Sequence, residues 1–319
     1  MEKLMRNAYL IMAHGNWEQL GFLLQLLDDE NNDFYIHIDK RVQMPNADQI
    51  KKNVHYSKIY FTKRVKVKWG GYGTIDASMV LLRNAVKRRY DYYHLMSGSD
   101  LPLKTNQEIN DFLKKHMYTN LSKTHMTNYL AYGGVGEEMV RARVSHYNVF
   151  VSFFRTKPWY LGIFFKKVNA LGYHIQKAIH VDRLKGTGLT LYKGSLWYTI
   201  SHECACFFLK NEKTGKRWFG RMTFSGDEYV LQTLFMNSAF RDTGFIPEKE
   251  NMSQNLYEID WEHTKGDGSP HLFTAEDIAR LDSSKNLFAR KFDKNVDSKV
   301  IDYLFRKLTG HTEEINDQE

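Results

Sequence analysis

The sequence predicts an α/β fold with a doubly wound, mostly parallel sheet. Short apolar runs typical of buried strands alternate with segments of helical periodicity. The apolar runs lie at 8–13, 34–39, 59–61 and 92–96, and the helical segments lie at 17–28 and 74–89. Strand–helix–strand units of this kind are joined by right-handed crossovers, which place their strands parallel in one sheet.

A single domain is predicted over residues 1–311, because no repeat or low-complexity linker divides the chain. The composition, 42% hydrophobic and 26% charged residues, is that of a globular protein. Acidic and polar residues dominate 312–319, and this tail is expected to be disordered.

The formal net charge of +8 suits a phosphorylated ligand, an anionic lipid or a nucleic acid. No zinc finger, RNA-binding signature or basic zipper is present, so a nucleic-acid partner is not expected. Aromatic residues make up 14% of the chain, which fits either stacking on planar rings and sugars or an aromatic-rich core.

The chain shows no secretory signal and no apolar stretch of about 18 residues, so a cytoplasmic protein without a membrane span is expected. The most apolar segment, 149–165, is interrupted by charges. A packed substrate lobe is the favoured interpretation, and peripheral contact with the inner face of the membrane is the alternative. Cys204 and Cys206 are predicted to be two buried thiols in a reducing compartment.

Ligands of doubly wound sheets bind at the carboxyl ends of the strands, near the switch in strand order. Four side chains fall at or just beyond such ends: His14, Asp39, Trp69 and Asp100. Ser97 and Gly98 belong to the same loop as Asp100. A carboxylate like that of Asp39 can accept hydrogen bonds from a ribose or a uracil, although capping of the next turn is the default explanation.

The loop at 97–100 lacks the paired carboxylates that hold a divalent ion on a diphosphate. Only Asp100 is acidic, and the residue two positions before it is Gly98. We therefore expect no metal cofactor, or metal ligands elsewhere in the chain.

Asp227 and Glu228 begin a predicted helix within Ser225-Gly226-Asp227-Glu228-Tyr229. A carboxylate there can take a proton from an attacking hydroxyl, and the positive helix end favours its ionised form. Capping of the helix explains the same spacing and is favoured when the block is considered alone.

Two further blocks carry ligand-binding chemistry. The first contains Gly194, Ser195 and Trp197, where backbone can approach a ligand closely and an indole can cover a sugar ring. The alternative is a turn into a strand with a core tryptophan. The second contains Arg290 and Lys291, whose charges can neutralise a diphosphate, although a solvated basic pair is the usual explanation.

The order of these blocks resembles the Core-2/I-branching β-1,6-N-acetylglucosaminyltransferase family, which also contains peptide O-xylosyltransferases. The resemblance runs from about residue 8 to 304 and is carried by 34–39, the Trp69 segment, 93–105, 194–198, 225–229 and 288–293. It implies a GT-A-type glycosyltransferase fold, with a nucleotide-binding half at 1–118 and an acceptor-binding and catalytic half at 119–311. It further implies inversion, a UDP-sugar donor and no divalent metal.

By the same resemblance, Glu228 is similar to the family base, Lys291 to its diphosphate-binding lysine and Asp39 to its nucleoside-contacting acid. Branching enzymes add an arginine upstream of that lysine, and residues 269–271 contain none. Arg290 resembles instead the basic pair of the xylosyltransferases. Arg143 lies where branching enzymes bind the acceptor, and Trp197, Gly194, Ser195 and Asp227 are expected to contact a sugar.

The resulting expectation is transfer of a sugar, GlcNAc first, from a UDP-sugar to a hydroxyl of a glycan or glycolipid acceptor, in surface polysaccharide or glycolipid synthesis. The alternative is a UDP-xylose-dependent (peptide O-) xylosyltransferase. A third hypothesis is a carbohydrate- or nucleotide-binding protein without turnover. The sequence leaves the donor sugar, the acceptor and the linkage open.

Overall fold

The structure is a computed structural model. It describes residues 5–68, 70–136, 138–220, 222–248, 250–264 and 268–310. Trp69 and the predicted tail at 312–319 lie outside the described residues.

A central sheet of six strands organises the chain. Numbered along the sequence and given in their order across the sheet, they are β3 Lys58–Phe61, β2 Asn32–Ile38, β1 Asn7–Ala13, β4 Tyr92–Ser97, β9 Tyr198–Ser201 and β6 Tyr129–Leu130. The first four are parallel, β9 is antiparallel to β4, and β6 is antiparallel to β9. The predicted α/β class with a doubly wound, mostly parallel sheet is confirmed.

Two small sheets lie beside the central one. The first contains β10 Tyr257–Ile259, β11 Phe288–Arg290 and β5 Asp100–Pro102, and the second contains β7 Gly133–Gly134 and β8 Tyr192–Lys193. Because β5 follows β4 after two residues and pairs antiparallel with β11, it places Asp100 opposite Arg290. Residues that are far apart in sequence thereby meet at the end of the central sheet.

The α-helices that cover the sheets are α1 Trp17–Leu26, α2 Ala47–Lys51, α3 Gly73–Ala85, α4 Asn106–Lys115, α5 Glu138–Ser145, α6 Trp159–Ala178, α7 His202–Lys210, α8 Glu212–Phe219, α9 Val230–Met236, α10 Ile278–Ser283 and α11 Lys299–Thr309. Short 3-10 helices occupy Val86–Arg88, Val151–Phe153, Gly226–Glu228, Ala239–Thr243 and Ala275–Asp277.

The inner strands β1, β2, β4 and β9 are almost entirely buried, which explains why most of their residues are apolar. Side chains alternate along β1: Tyr9 and Ile11 enter one core cluster, and Ala8 and Leu10 enter the other. Buried side chains of α1, α4 and α11 complete the first cluster, and those of α3, α7 and α9 complete the second.

The two cysteines correct a prediction. Both lie on α7 and are free, but Cys204 is buried while Cys206 is exposed. Helical residues two positions apart point about 200° apart around the axis, so only one of the pair faces the core. The expectation that both thiols are buried is wrong.

The apolar segment at 149–165 also differs from the favoured interpretation. It contains the start of α6, and Val149, Phe153 and Trp159 are exposed. A fully packed lobe is therefore not formed. None of the helices in the described part of the chain is long and apolar enough to span a bilayer.

Candidate active site

A cavity of about 950 Å³ opens at the carboxyl ends of β1, β2 and β4, where strand order switches on either side of β1. Many of the predicted site residues line it: His14, Asp39, Ser97, Gly194, Ser195, Trp197, Asp227, Glu228, Arg290 and Lys291. Gly98, Asp100 and Arg143 do not line it. The cavity thus joins side chains from both halves of the chain.

Asp39 is the best-anchored carboxylate of the cavity. Its Oδ2 accepts hydrogen bonds from Arg41 Nε at 3.0 Å and Nη2 at 2.7 Å, and its Oδ1 accepts from the Arg41 backbone N–H at 2.9 Å. The backbone N–H of Val67 donates to Oδ1 at 3.3 Å. Burial raises the pKa of Asp39, but these donors outweigh it and the net pKa is lowered. Asp39 therefore caps its turn and also lines the cavity. Arg41 lines the cavity as well, and the sequence analysis did not predict it.

Two histidines line the floor of the cavity. Burial, reinforced by the charge of Lys291, lowers the pKa of His14. Burial also lowers the pKa of His37, whose Nε2 accepts a hydrogen bond from the Val65 backbone N–H at 2.9 Å. Both rings are therefore neutral at neutral pH. His37 lies within the strand block at 34–39 and was not predicted as a lining residue.

Asp100 corrects a predicted role, because its carboxylate turns away from the cavity and is fully buried. Its Oδ2 accepts from the Ser97 backbone N–H at 2.8 Å, and its Oδ1 accepts from Arg290 Nη1 at 2.7 Å. Burial raises the pKa of Asp100, and the Arg290 guanidinium counteracts that rise. Asp100 therefore holds Arg290 in place instead of contacting a ligand.

Trp197 holds Arg290 on a second side. The guanidinium carbon of Arg290 lies 4.3 Å from the centre of the Trp197 ring. Lys291 follows directly and also lines the cavity. Across the described ranges of the chain, no carboxylate lies within ion-pair distance of Lys291, so its ammonium is available to an anionic ligand.

Gly98 has a structural role next to this group. A Cβ at position 98 would lie 3.3 Å from the Cβ of Ala13, at the end of β1. The glycine thus lets the loop after β4 approach β1 closely. It does not line the cavity, and its contact with a ligand stays a prediction.

Glu228 ends the 3-10 helix Gly226–Glu228, just before α9. Its Oε2 is buried and lies 3.2 Å from Lys193 Nζ and 3.9 Å from Arg143 Nη1. The side chain is nonetheless 37% exposed, so the rest of it faces the cavity. Ser225 and Tyr229, which precede the 3-10 helix and α9, make no side-chain capping hydrogen bond, and Glu228 Oε2 has no hydrogen-bond partner among the described residues.

Gly194 connects the 194–197 block to Glu228. The Gly194 backbone N–H donates to the Glu228 carbonyl oxygen at 2.8 Å. A Cβ at position 194 would lie 1.7 Å from the Ala131 carbonyl oxygen, so only glycine fits. This close approach brings the adjacent Lys193 to the Glu228 carboxylate. Lys193 was missed, although it directly precedes the predicted block.

Asp227 and Arg143 flank Glu228. Burial, followed by the negative charge of Glu228, raises the pKa of Asp227 to about 6. Arg143, on α5, lies behind Glu228, with its guanidinium 5.2 Å from the Phe224 ring centre. The structure therefore places Arg143 beside the Glu228 carboxylate and outside the cavity lining, and its contact with an acceptor stays a prediction.

Comparisons with known proteins identify the family of the chain. The family model described as "Core-2/I-Branching enzyme" matches residues 7–282. Curated relatives include a xylosyltransferase of Ciona intestinalis and xylosyltransferase 2 of Rattus norvegicus, each 24% identical over 96% of this chain and 34% of their own length. The chain thus spans about a third of the length of these relatives.

Among solved structures, apo mouse xyloside xylosyltransferase 1 aligns with a TM-score of 0.37 and 8% identity, covering 89% of this chain and 96% of that one. The family match extends over most of the described sheet and its cavity. The chain belongs to the Core-2/I-branching enzyme family, and its mixed, mostly parallel sheet is consistent with the GT-A-type fold that the sequence resemblance implied.

Proposed function

We propose that the protein is an inverting glycosyltransferase that moves a sugar from a UDP-sugar to a hydroxyl group. One observation carries the proposal: a single cavity has the Glu228 carboxylate on one wall and the unpaired Lys291 ammonium on another, beside Arg290. Single displacement requires a base for the acceptor and a cation for the departing diphosphate, both reaching the same bound donor.

In the proposed step, the acceptor hydroxyl gives its proton to Glu228 as its oxygen attacks C1 of the donor sugar. The bond between C1 and the β-phosphate oxygen breaks, and UDP leaves with that electron pair. Lys291 and Arg290 offset the negative charge that develops on the leaving diphosphate. Lys193, 3.2 Å from Glu228 Oε2, orients the carboxylate.

Asp39 and Arg41 are proposed to contact the nucleoside, because they line the cavity at the end of β2. Arg41 keeps Asp39 ionised, and each residue still has hydrogen-bonding capacity toward a ribose or a uracil. Trp197 is proposed to face the donor sugar, with one side of its ring covered by Arg290.

Xylose is better supported than GlcNAc as the donor sugar. The curated relatives are named xylosyltransferases. The adjacent residues Arg290 and Lys291 also resemble the basic pair of the xylosyltransferases. The branching-enzyme arginine expected near 269–271 is absent from the sequence. GlcNAc remains the alternative donor, and a hydroxyl of a glycan, glycolipid or protein is the proposed acceptor group.

Metal independence is part of the proposal. Of the three carboxylates that line the cavity, Asp39 is bound to Arg41 and Glu228 contacts Lys193, and among the described residues no group of three His, Cys, Asp or Glu side chains is placed to hold a metal ion. Cationic side chains therefore take the charge-neutralising role on the diphosphate. A cytoplasmic location is also proposed, supported by the two free cysteines Cys204 and Cys206.

The test is a UDP-release screen with UDP-xylose, UDP-GlcNAc, UDP-galactose and UDP-glucose, each with excess chelator or with added manganese. We expect slow donor hydrolysis with UDP-xylose, at the same rate under both conditions. Faster release from UDP-GlcNAc would reassign the donor, and dependence on manganese would refute the metal-free mechanism. Tight UDP binding without release from any donor, with or without a sugar or peptide acceptor, would favour the non-catalytic hypothesis.

A further inference from the structure

One face of α6 is apolar and exposed over most of the helix. Tyr160, Phe164, Leu171 and Ile175 are each between 54% and 61% exposed. At 100° per residue these positions fall within about 60° of one another around the helix axis. We name these four residues the α6 outer face. Trp159, 73% exposed, extends it at the start of the helix.

The opposite side of α6 packs on the protein, so the outer face is a surface of the folded chain. The Phe165 ring lies 5.4 Å from Phe150 and 4.9 Å from Phe153 between ring centres. Asn169 Nδ2 donates to Asn148 Oδ1 at 3.0 Å. These contacts fix the rotation of the helix about its axis and hold the apolar side chains toward solvent.

The charges of the segment that carries the outer face have one sign. Residues 149–181 contain no aspartate or glutamate, and they carry Arg155, Lys157, Lys166, Lys167 and Lys177. Lys177 pairs with Glu138 at 2.7 Å. Lys166 and Lys167 are exposed, and in the part of the chain that the structure describes no carboxylate lies within ion-pair distance of either.

These charges decide between two occupants of the apolar face. A second copy of the chain in a two-fold contact would bring the face against itself, with Lys166 and Lys167 opposite their own copies and no acid within residues 149–181 to pair with them. An anionic bilayer offers a negative headgroup surface and an apolar interior at once. Aromatic rings such as those of Trp159 and Tyr160 favour the boundary between the two.

We infer that the α6 outer face docks on anionic membranes, with α6 lying in the plane of the headgroups. The contact would bring the active site near the bilayer, because the segment that precedes α6 touches the loop of Glu228. The Phe154 ring of that segment lies 5.8 Å from the ring of Phe224, which directly precedes Ser225. An acceptor hydroxyl carried by a lipid would then be presented from the same side. The docking itself rests on the surface alone and not on the proposed transfer reaction.

The test is co-sedimentation of the full chain with vesicles of phosphatidylcholine alone and of phosphatidylcholine with phosphatidylglycerol. We expect binding to the anionic vesicles only, weakened by added salt. Lys166→Gln/Lys167→Gln should lower the partition coefficient by roughly 30-fold, about 5-fold per lysine. Phe164→Ser/Leu171→Ser should lower it by roughly 10- to 100-fold.

Lys114→Gln/Lys115→Gln, on α4, is the matched control because it removes the same charge elsewhere. It should bind vesicles as the wild type does, and unchanged circular dichroism should show that all variants fold. If both pairs of lysine substitutions weakened vesicle binding equally, the binding would depend only on net charge, and the inference would be overturned. Absence of binding to anionic vesicles would also overturn it. So would sedimentation equilibrium showing a lipid-free dimer that Phe164→Ser/Leu171→Ser dissociates.

Discussion

Asp100 Oδ1 accepts a hydrogen bond from Arg290 Nη1 at 2.7 Å. This bond joins the first residue of β5 to the last residue of β11. Asp100 is fully buried, and the Arg290 side chain is 16% exposed. This ion pair orients one of the two cations proposed to receive the diphosphate. Lys291, the next residue, lines the cavity.

The pair should be strongly coupled in stability. Asp100→Leu should lower the free energy of unfolding by about 3–5 kcal/mol, because it leaves a buried guanidinium without its counter-ion. Arg290→Met should have a similar effect, and the double variant should recover most of the loss. Urea unfolding of the four proteins measures the coupling. Additive losses in the double variant would show that the two side chains act independently.

Glu228→Gln should reduce transfer by about 10²–10⁴-fold while leaving UDP affinity unchanged. The amide fills the same space but cannot take the proton of the acceptor hydroxyl. Initial rates and UDP titration by calorimetry measure the two quantities. Glu276→Gln, at an exposed position outside the cavity, should retain full activity. Turnover near the wild-type rate in Glu228→Gln would remove Glu228 as the base.

Lys291→Ala should weaken UDP binding by roughly 10- to 100-fold, the range expected when a charge-assisted hydrogen bond of about 1.5–3 kcal/mol is lost. Because the lost contact is ionic, the difference from wild type should shrink at high salt. Lys285→Ala removes an exposed lysine outside the cavity and should bind UDP normally. Equal UDP affinity for Lys291→Ala and wild type would contradict the diphosphate role.

Gly194→Ala should cost about 3 kcal/mol or more of unfolding free energy, since its Cβ would lie 1.7 Å from the Ala131 carbonyl oxygen. Activity should fall as well, because the Gly194 N–H bonded to the Glu228 carbonyl must move. Gly172→Ala is the control: its Cβ meets nothing within 4 Å, and it should stabilise α6 by about 0.5–1 kcal/mol. A fully active, stable Gly194→Ala variant would show that the close contact is not required.

Asp227→Asn should change the pH dependence of stability. The folded-state pKa of Asp227, about 6, lies above the value of 3.8 expected for the unfolded chain. The native state therefore keeps this proton at a pH where the unfolded chain has released it, and the resulting stability is lost as pH rises through about 6. Relative to wild type, Asp227→Asn should gain roughly 3 kcal/mol between about pH 4 and 7.

Denaturant unfolding across this pH range measures that difference. Asp260→Asn provides a control of opposite sign, because pairing with His263 and Arg280 outweighs burial and lowers the pKa of Asp260 to about 2. Its carboxylate stabilises the protein above the unfolded-state pKa, so the asparagine variant should lose stability relative to wild type as pH rises. A flat difference for Asp227→Asn would mean that its carboxyl is not perturbed by the fold.

Local sequence patterns predicted much of the nucleotide-binding half. The parallel strands β1, β2 and β4 are almost entirely buried, so each contains an apolar run that a short window detects. His14, Asp39 and Ser97 were predicted to face a ligand because they lie at or near the ends of such runs, and all three line the cavity. The prediction that Cys206 is buried is wrong because both cysteines lie on a helix, where residues two positions apart face nearly opposite sides.

The roles of Asp100, Arg143 and Lys193 were not accessible from local patterns. Asp100 meets Arg290 across 190 positions through the antiparallel register of β5 and β11. Arg143 and Lys193 approach Glu228 from α5 and β8, two elements whose sequences carry no sign of this neighbour. Such long-range pairings depend on how the strands and helices are arranged, which no window of sequence contains.

By itself the sequence determined the α/β class, the strand ends where ligands bind and the family, since periodicity and short blocks are local properties of the chain. Only the tertiary structure decided that Asp100 forms an ion pair with Arg290, that Lys193 forms one with Glu228 and that α6 exposes an apolar face. Burial and ion pairing depend on which distant side chains share a volume, and folding alone settles that.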